Sequence, residues 1–177
     1  MASSTDNNQI EKTNTSLDVV LVIFRVGPDL YSIDVSVIQE VIPVIAATKV
    51  PSAPDFIEGV IELRKLIVPV VDLRARLGYA KTDVGKRARY LIVSVSGRIV
   101  AMMVDEVIEI AHVNPSSFSP APEIIRDAGV KYVCGVLRRN GLTLVLDLEG
   151  ALSQKEIAAL KEMDQVSLPG KQRDEGE

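Results

Sequence analysis

Residues 51–78 read PSAPDFIEGVIELRKLIVPVVDLRARLG, a unit of extended entry, strand, turn, strand and short helix. Pro51 and Pro54 each fix their own φ and push the preceding residue towards extended geometry, so the entry is not helical. Phe56 and Ile57 open a strand that continues through Val60, Ile61 and Leu63. Arg64 and Lys65 form a two-residue turn, and the apolar run Leu66–Val71 suits a strand buried on both faces. Pro69 has no N–H to give to a ladder, which predicts an edge or a bulge there. Asp72 stands where an N-cap belongs, ahead of a short helix over Leu73–Leu77 with Gly78 at C′.

The same unit returns near the C-terminus. GVIELRKLIVPVVDLRARL from Gly59 is echoed by GVLRRNGLTLVLDLEGAL from Gly135, matching Gly59 to Gly135 and Asp72-Leu73 to Asp147-Leu148. Upstream, LVIFRVGPDLYSIDV from Leu21 is echoed by LIVSVSGRIVAMMVD from Leu91, with Gly27 against Gly97. The period is far too long for a solenoid. Two pseudo-equivalent small barrels are expected, from halves spanning 17–80 and 88–152 and able to exchange strands. Residues 1–16 are expected to be a disordered tail, 153–166 a C-terminal helix and 167–177 a flexible end.

Along the chain, Leu17–Val26 is a dense β-branched strand, Gly27-Pro28-Asp29 a turn, and Tyr31, Ile33 and Val35 alternate on the returning strand. Ser36 followed by Gln39 fits a capping box and predicts a helical turn over Val37–Val41 that carries Glu40. The polar segment Lys81–Arg87 links the halves. Leu91–Val95 and Ile99–Val104 form a hairpin through Ser96-Gly97, and Asp105–Ile110 alternates like a half-solvated strand. Asn114-Pro115, Pro120-Ala121-Pro122 and Asp127-Ala128-Gly129 read as irregular or loop. Tyr132–Arg138 and Leu142–Leu146 form the last hairpin, turned at Asn140-Gly141, and Ser153 with Glu156 starts a helix to about Met163.

Composition removes several classes of function. With 177 residues, 47% of them hydrophobic, the chain can bury a substantial core, and no apolar run is long enough to span a bilayer. A formal charge of −4 and the absence of tryptophan argue against nucleic acid, which needs a basic face or stacking platform. The single cysteine, Cys134, allows neither a disulfide frame nor a thiolate zinc site, as fits a reducing cytoplasm. The N-terminus has the apolar core of neither a secretory signal nor a transit peptide.

Candidates for chemistry are few. His112 is the sole histidine, with no motif around it, and reads as an ordinary partly exposed residue. Cys134, between Val133 and Gly135 on a strand, reads as a buried inert thiol. Asp72 and Asp147 resemble a carboxylate pair, but helix capping accounts for both. There is no GxGxxG, Walker loop, HExxH or CxxC, so no enzyme activity, metal or cofactor is expected. Glu40 and Arg64 differ, because each stands in an otherwise aliphatic stretch.

Taken together, Tyr31-x-Ile33-x-Val35, Ile38-Gln39-Glu40-Val41-Ile42, Pro51-x-x-Pro54-x-Phe56-Ile57-x-Gly59-Val60-Ile61-x-Leu63-Arg64, Val68-Pro69-Val70-Val71-Asp72-Leu73 and Val104-Asp105-x-Val107 resemble the CheW-like chemotaxis adaptors. The resemblance runs over about residues 18 to 152. It implies a mainly all-β fold of two five-stranded SH3-like barrels, each with its own apolar core and a third core between them. It also implies a non-catalytic adaptor, monomeric in isolation, that couples a CheA-type histidine kinase to the cytoplasmic tips of chemoreceptors within receptor arrays. The expected receptor-binding residues are Val35, Ile38, Glu40, Val41 and Arg64, and the expected kinase-binding position is Gly59. A groove of this kind accepts one stripe of an amphipathic helix, with the charge pair setting register. Where the family commonly has Leu-Arg-Gly, this chain has Leu63-Arg64-Lys65, which removes a residue that readily takes positive φ. Alternatives are an adaptor of a dedicated non-flagellar chemosensory pathway or an SH3-like peptide-binding module. The latter is disfavoured by three Phe and four Tyr with no Trp.

Overall fold

In the computed structural model, residues 19–139, 141–152, 156 and 158 are described. The expected tails and most of the helix after Ser153 lie outside them. Eleven strands are seen: β1 (Val19–Val26), β2 (Asp29–Asp34), β3 (Ile38–Pro43), β4 (Ile57–Leu63), β5 (Leu66–Asp72), β6 (Arg89–Val95), β7 (Arg98–Val104), β8 (Glu106–Val113), β9 (Phe118–Pro120), β10 (Val133–Arg138) and β11 (Leu142–Leu146). Within residues 19–152 three short α-helices accompany them: α1 (Leu73–Arg76), α2 (Glu123–Asp127) and α3 (Leu148–Ala151).

The strands form two sheets of matching order, β8-β1-β2-β11-β10-β9 and β3-β6-β7-β5-β4. Each takes a hairpin from one half of the chain and the remaining strands from the other. Each hairpin is joined on one flank by an antiparallel pair, β1 with β8 and β6 with β3, and on the other by a parallel one: β2 runs beside β11 through Leu30–Ser32, and β7 beside β5 through Ala101–Met103. The sixth strand of the first sheet is the three-residue β9. Its counterpart on the second sheet is a lone bridge between Thr48 and Val60.

Three apolar clusters follow from this arrangement. Leu21, Ile23, Ala111, Val113, Leu137 and Val145 fill the first sheet, and Ile61, Val68, Val70, Tyr90, Ile92 and Ala101 fill the second. The first set reaches from β8 to β10, and the second, with the partly buried Ile42 packed against it, from β3 to β4, so both sheets curl around their contents. The largest cluster, including Phe24, Tyr31, Leu91, Val93 and Leu146, lies between them. Strand alternation sorts the residues: Tyr90 and Ile92 point inward, Leu91 and Val93 to the central core.

Several local expectations change. The structure replaces the helical turn over Val37–Val41 by a 3₁₀ turn at Val35–Val37, capped by Asp34 through the Ser36 N–H, and then β3. Ser36 loses the capping role because its own N–H is taken by Asp34 and the chain enters β3 at Ile38, leaving no helix start for Ser36 to cap. Phe118–Pro120 is a strand where irregular chain was expected, and a helix over Glu123–Asp127 runs into the expected loop at Asp127. The repeat pairs Gly27-Pro28 with Ser96-Gly97, since the closing pairs of the two hairpins are Val26–Asp29 and Val95–Arg98. Gly27 therefore matches Ser96, one residue from the alignment drawn on glycines. In a strand, that slip exchanges the two faces.

Pro69 is not on an edge strand, since β5 lies between β7 and β4. Val60, its partner on β4, gives its N–H to Thr48 O (2.9 Å), and its C=O accepts from Thr48 N (2.8 Å). The Val60–Pro69 pair is thus of the non-hydrogen-bonded kind, and β7 joins β5 only from Val70 onward. No ladder asks Pro69 for an N–H.

Candidate functional site

Glu40 and Arg64 are 24 positions apart in sequence and on different strands, yet Arg64 Nη2 donates to Glu40 Oε2 at 2.9 Å. Glu40 sits on β3, at one end of the second sheet, and Arg64 in the turn leaving β4, at the other. The pair therefore joins the two ends of the curled sheet. Arg64 and Lys65 both take positive φ, 51° and 68°, as a tight two-residue hairpin turn demands. Neither is glycine, so the turn holds its shape with two side chains in a region that disfavours them. Arg64 is largely solvent-exposed while Glu40 is mostly covered.

The strand beside this pair carries an irregularity that groups the other candidates. On a regular strand Ile38 and Val41 would face opposite ways. The β3–β6 register shifts between Ile38 and Glu40, placing Ile38 opposite Val93 and Val41 opposite Leu91. Both partners belong to the central core, so the bulge at Gln39 puts Ile38 and Val41 on one face. Glu40 and Ile42 lie opposite Ile92 and Tyr90, on the other face. Val41 is 43% exposed, whereas Ile38 packs against the central core and Val35 is half-buried on its 3₁₀ turn. Ile38 and Val41 thus lie on one face of β3, preceded by Val35, while Glu40, next to Val41 in the chain, turns to the other face and to Arg64.

Gly59 is buried, with φ 149°. A Cβ there would fall 2.3 Å from Thr48 O. Packing alone accounts for the glycine, and a partner meets this position only by way of Thr48 and its neighbours. Gly135 repeats the situation at the β10–β11 register shift, where a Cβ would meet the Phe118 ring and Ser119 O.

The remaining candidates stay apart from any catalytic arrangement. Asp72 accepts from the Arg74 and Ala75 N–H groups and Asp147 from the Glu149 N–H, both as N-caps. His112 is exposed on β8. Cys134 is not buried as expected but exposed, because it lies on the β10 face turned from the cluster that holds Val133. Its Sγ donates to Val145 O at 3.3 Å, and burial of the sulfur pushes the thiol pKa up. Among the described residues no group of His, Cys, Asp and Glu could hold a metal, and no helix is long and apolar enough to cross a membrane.

A feature without a sequence signal of its own is a mainly apolar cavity of about 580 Å³ at one mouth of the first sheet, lined by Leu21, Val113 and Val145 among others.

The CheW-like domain model matches residues 20–156. The chain belongs to the CheW-like family. A chemotaxis protein CheW of Klebsiella aerogenes is 31% identical over 137 residues, covering 77% of this chain and 82% of that protein. The protein FrzA of Myxococcus xanthus is 32% identical over 119 residues, covering 67% of this chain and 73% of that one. The crystal structure of the scaffolding protein TtCheW from Thermoanaerobacter tengcongensis superposes with a TM-score of 0.71 at 29% identity, covering 79% of this chain and 96% of that one. This CheW-like chain has the expected two-sheet, mainly β architecture, and with its family it is a non-catalytic scaffold of chemotaxis signalling.

Proposed function

We propose that this CheW-like chain couples a CheA-type histidine kinase to the cytoplasmic tips of chemoreceptors. The observation that carries the reading is the Glu40–Arg64 ion pair, 2.9 Å, whose glutamate shares β3 with Ile38 and Val41, preceded by Val35. An amphipathic receptor helix lays its apolar stripe on Val41 and its neighbours, and polar groups of the helix address the charge pair. The kinase docks elsewhere, on the surface around Thr48 that Gly59 supports from beneath. The protein works in the cytoplasm and joins receptor clusters through these two contacts.

The test is a double-mutant cycle of Glu40→Arg, Arg64→Glu and the swapped double variant, each titrated with a receptor cytoplasmic fragment and with the kinase. Receptor affinity is expected to fall in both single variants and to recover in part in the swap, while kinase affinity holds. Because the arginine is so exposed, each variant should change folding stability by no more than about 1 kcal/mol. Unchanged receptor affinity throughout would remove this region from the receptor interface.

A further inference from the structure

The cavity of about 580 Å³ at the mouth of the first sheet is bounded by Val19 and Leu21 on β1, Val113 on β8, Phe118 on β9, and Cys134 and Val145 on β10 and β11. Its rim carries three carboxylates, Asp34, Asp147 and Glu149, all on exposed residues, and no lysine or arginine lines it. None of Val35, Ile38, Glu40, Val41 and Arg64 takes part.

The internal repeat sets residues of this space against their equivalents in the other half. Aligned by their hairpins, Leu21 corresponds to Tyr90, and the strand partners across from them, Ala111 and Ile42, correspond as well. In the second sheet the larger pair packs into the apolar cluster, and Tyr90 Oη donates to Ile45 O at 2.9 Å, which tethers the chain after β3. In the first sheet the pair is the smaller Leu21 and Ala111, neither side chain can make such a tether, and Leu21 lines the cavity.

We propose that this mouth is a docking pocket for a protein segment that carries apolar side chains between lysines or arginines. Apolar lining of this extent gains from burying leucine- or isoleucine-sized groups, and its volume is in the range of pockets that do so. The three carboxylates stand on two separate stretches, Asp34 at the end of β2 and Asp147 with Glu149 just after β11. Cations spaced along a peptide match that distribution, and the charge complementarity sets which partner enters and how fast.

The probe is a short fluorescein-labelled peptide with a leucine pair flanked by lysines, titrated by anisotropy into the full-length protein at low and high salt. Two controls replace the leucines by serines or the lysines by glutamates. Saturable, salt-weakened binding is expected, reduced about tenfold or more in each control. Val19→Arg and Glu149→Lys are expected to weaken it similarly, and their unchanged melting temperatures keep the result interpretable, since both positions are exposed. Cys134, the sole cysteine, should alkylate more slowly when the peptide is bound. Equal binding of all three peptides, indifference to Val19→Arg, or unprotected Cys134 would each overturn the proposal. No kinase or receptor enters the assay, so its outcome is independent of the coupling function proposed above.

Discussion

At the scale of single residues, geometry separates positions that sequence makes look alike. Gly59 combines φ 149° with Thr48 O within 2.3 Å of where a Cβ would stand. Gly59→Ala is therefore expected to lower stability by about 1–3 kcal/mol, read as a fall in melting temperature, by strain and by pushing Thr48 off its bridge to Val60. Gly78, at φ 84° with open space around it, should tolerate alanine at smaller cost. Tyr79 supplies a pH prediction. Its hydroxyl donates to Asp29 and shares a hydrogen bond with Tyr31, and burial, then the bond to Asp29, raises its pKa well above 10; burial raises that of Tyr31 as well. Below about pH 10 tyrosine is protonated in folded and unfolded chain alike; above it the unfolded chain ionises while the folded one resists. Stability should accordingly be level up to about pH 10 and fall as pH rises beyond. Tyr79→Phe should be less stable at neutral pH by about 1 kcal/mol but show a shallower alkaline decline in denaturant midpoint. A decline identical to that of the parent chain would exclude Tyr79 as its source.

At the scale of elements, the two helix caps offer a matched comparison. Asp72 is buried and accepts from two N–H groups, whereas Asp147 is exposed and accepts from one. Asp72→Ala should cost about 1–2 kcal/mol, Asp147→Ala nearer 0.5, measured by urea denaturation. Equal losses would show that cap burial contributes nothing. Both caps were legible in sequence because an Asp before a short helical run acts through its own neighbours. The element that carries Glu40 was not. Ser36 and Gln39 mimic a helix start, but β3 is set by pairing with β6, and that pairing needs residues some fifty positions away. A helical turn would have placed Ile38 and Val41 on one face by its period; the strand does so by a bulge at Gln39.

At the scale of the whole molecule, the exchange of hairpins makes the halves interdependent. The β1–β2 hairpin completes the sheet built by β8 to β11, and the β6–β7 hairpin completes the one built by β3 to β5. Fragments cut within Lys81–Arg87 should each fail to fold alone, because each lacks a hairpin for one sheet and a sheet for its own hairpin. Mixed, they should recover the β-sheet circular dichroism of the intact chain. Independent folding of either fragment would contradict the interlaced topology.

What the sequence by itself determined was local or periodic. The strands with their apolar runs, the turn at Arg64-Lys65, the caps at Asp72 and Asp147, and the echo of one half in the other all depend on near neighbours or on self-comparison. Family resemblance then pointed to Glu40 and Arg64, which the structure brings within 2.9 Å of each other. Tertiary structure alone decided which hairpin joins which sheet, how Pro69 sits inside a sheet without a wasted ladder position, and the one-residue offset that aligns Leu21 with Tyr90. Each of these is a choice of pairing partner across distant chain. Alternation tells a strand which of its faces is apolar, but leaves open which neighbour covers it and in what register.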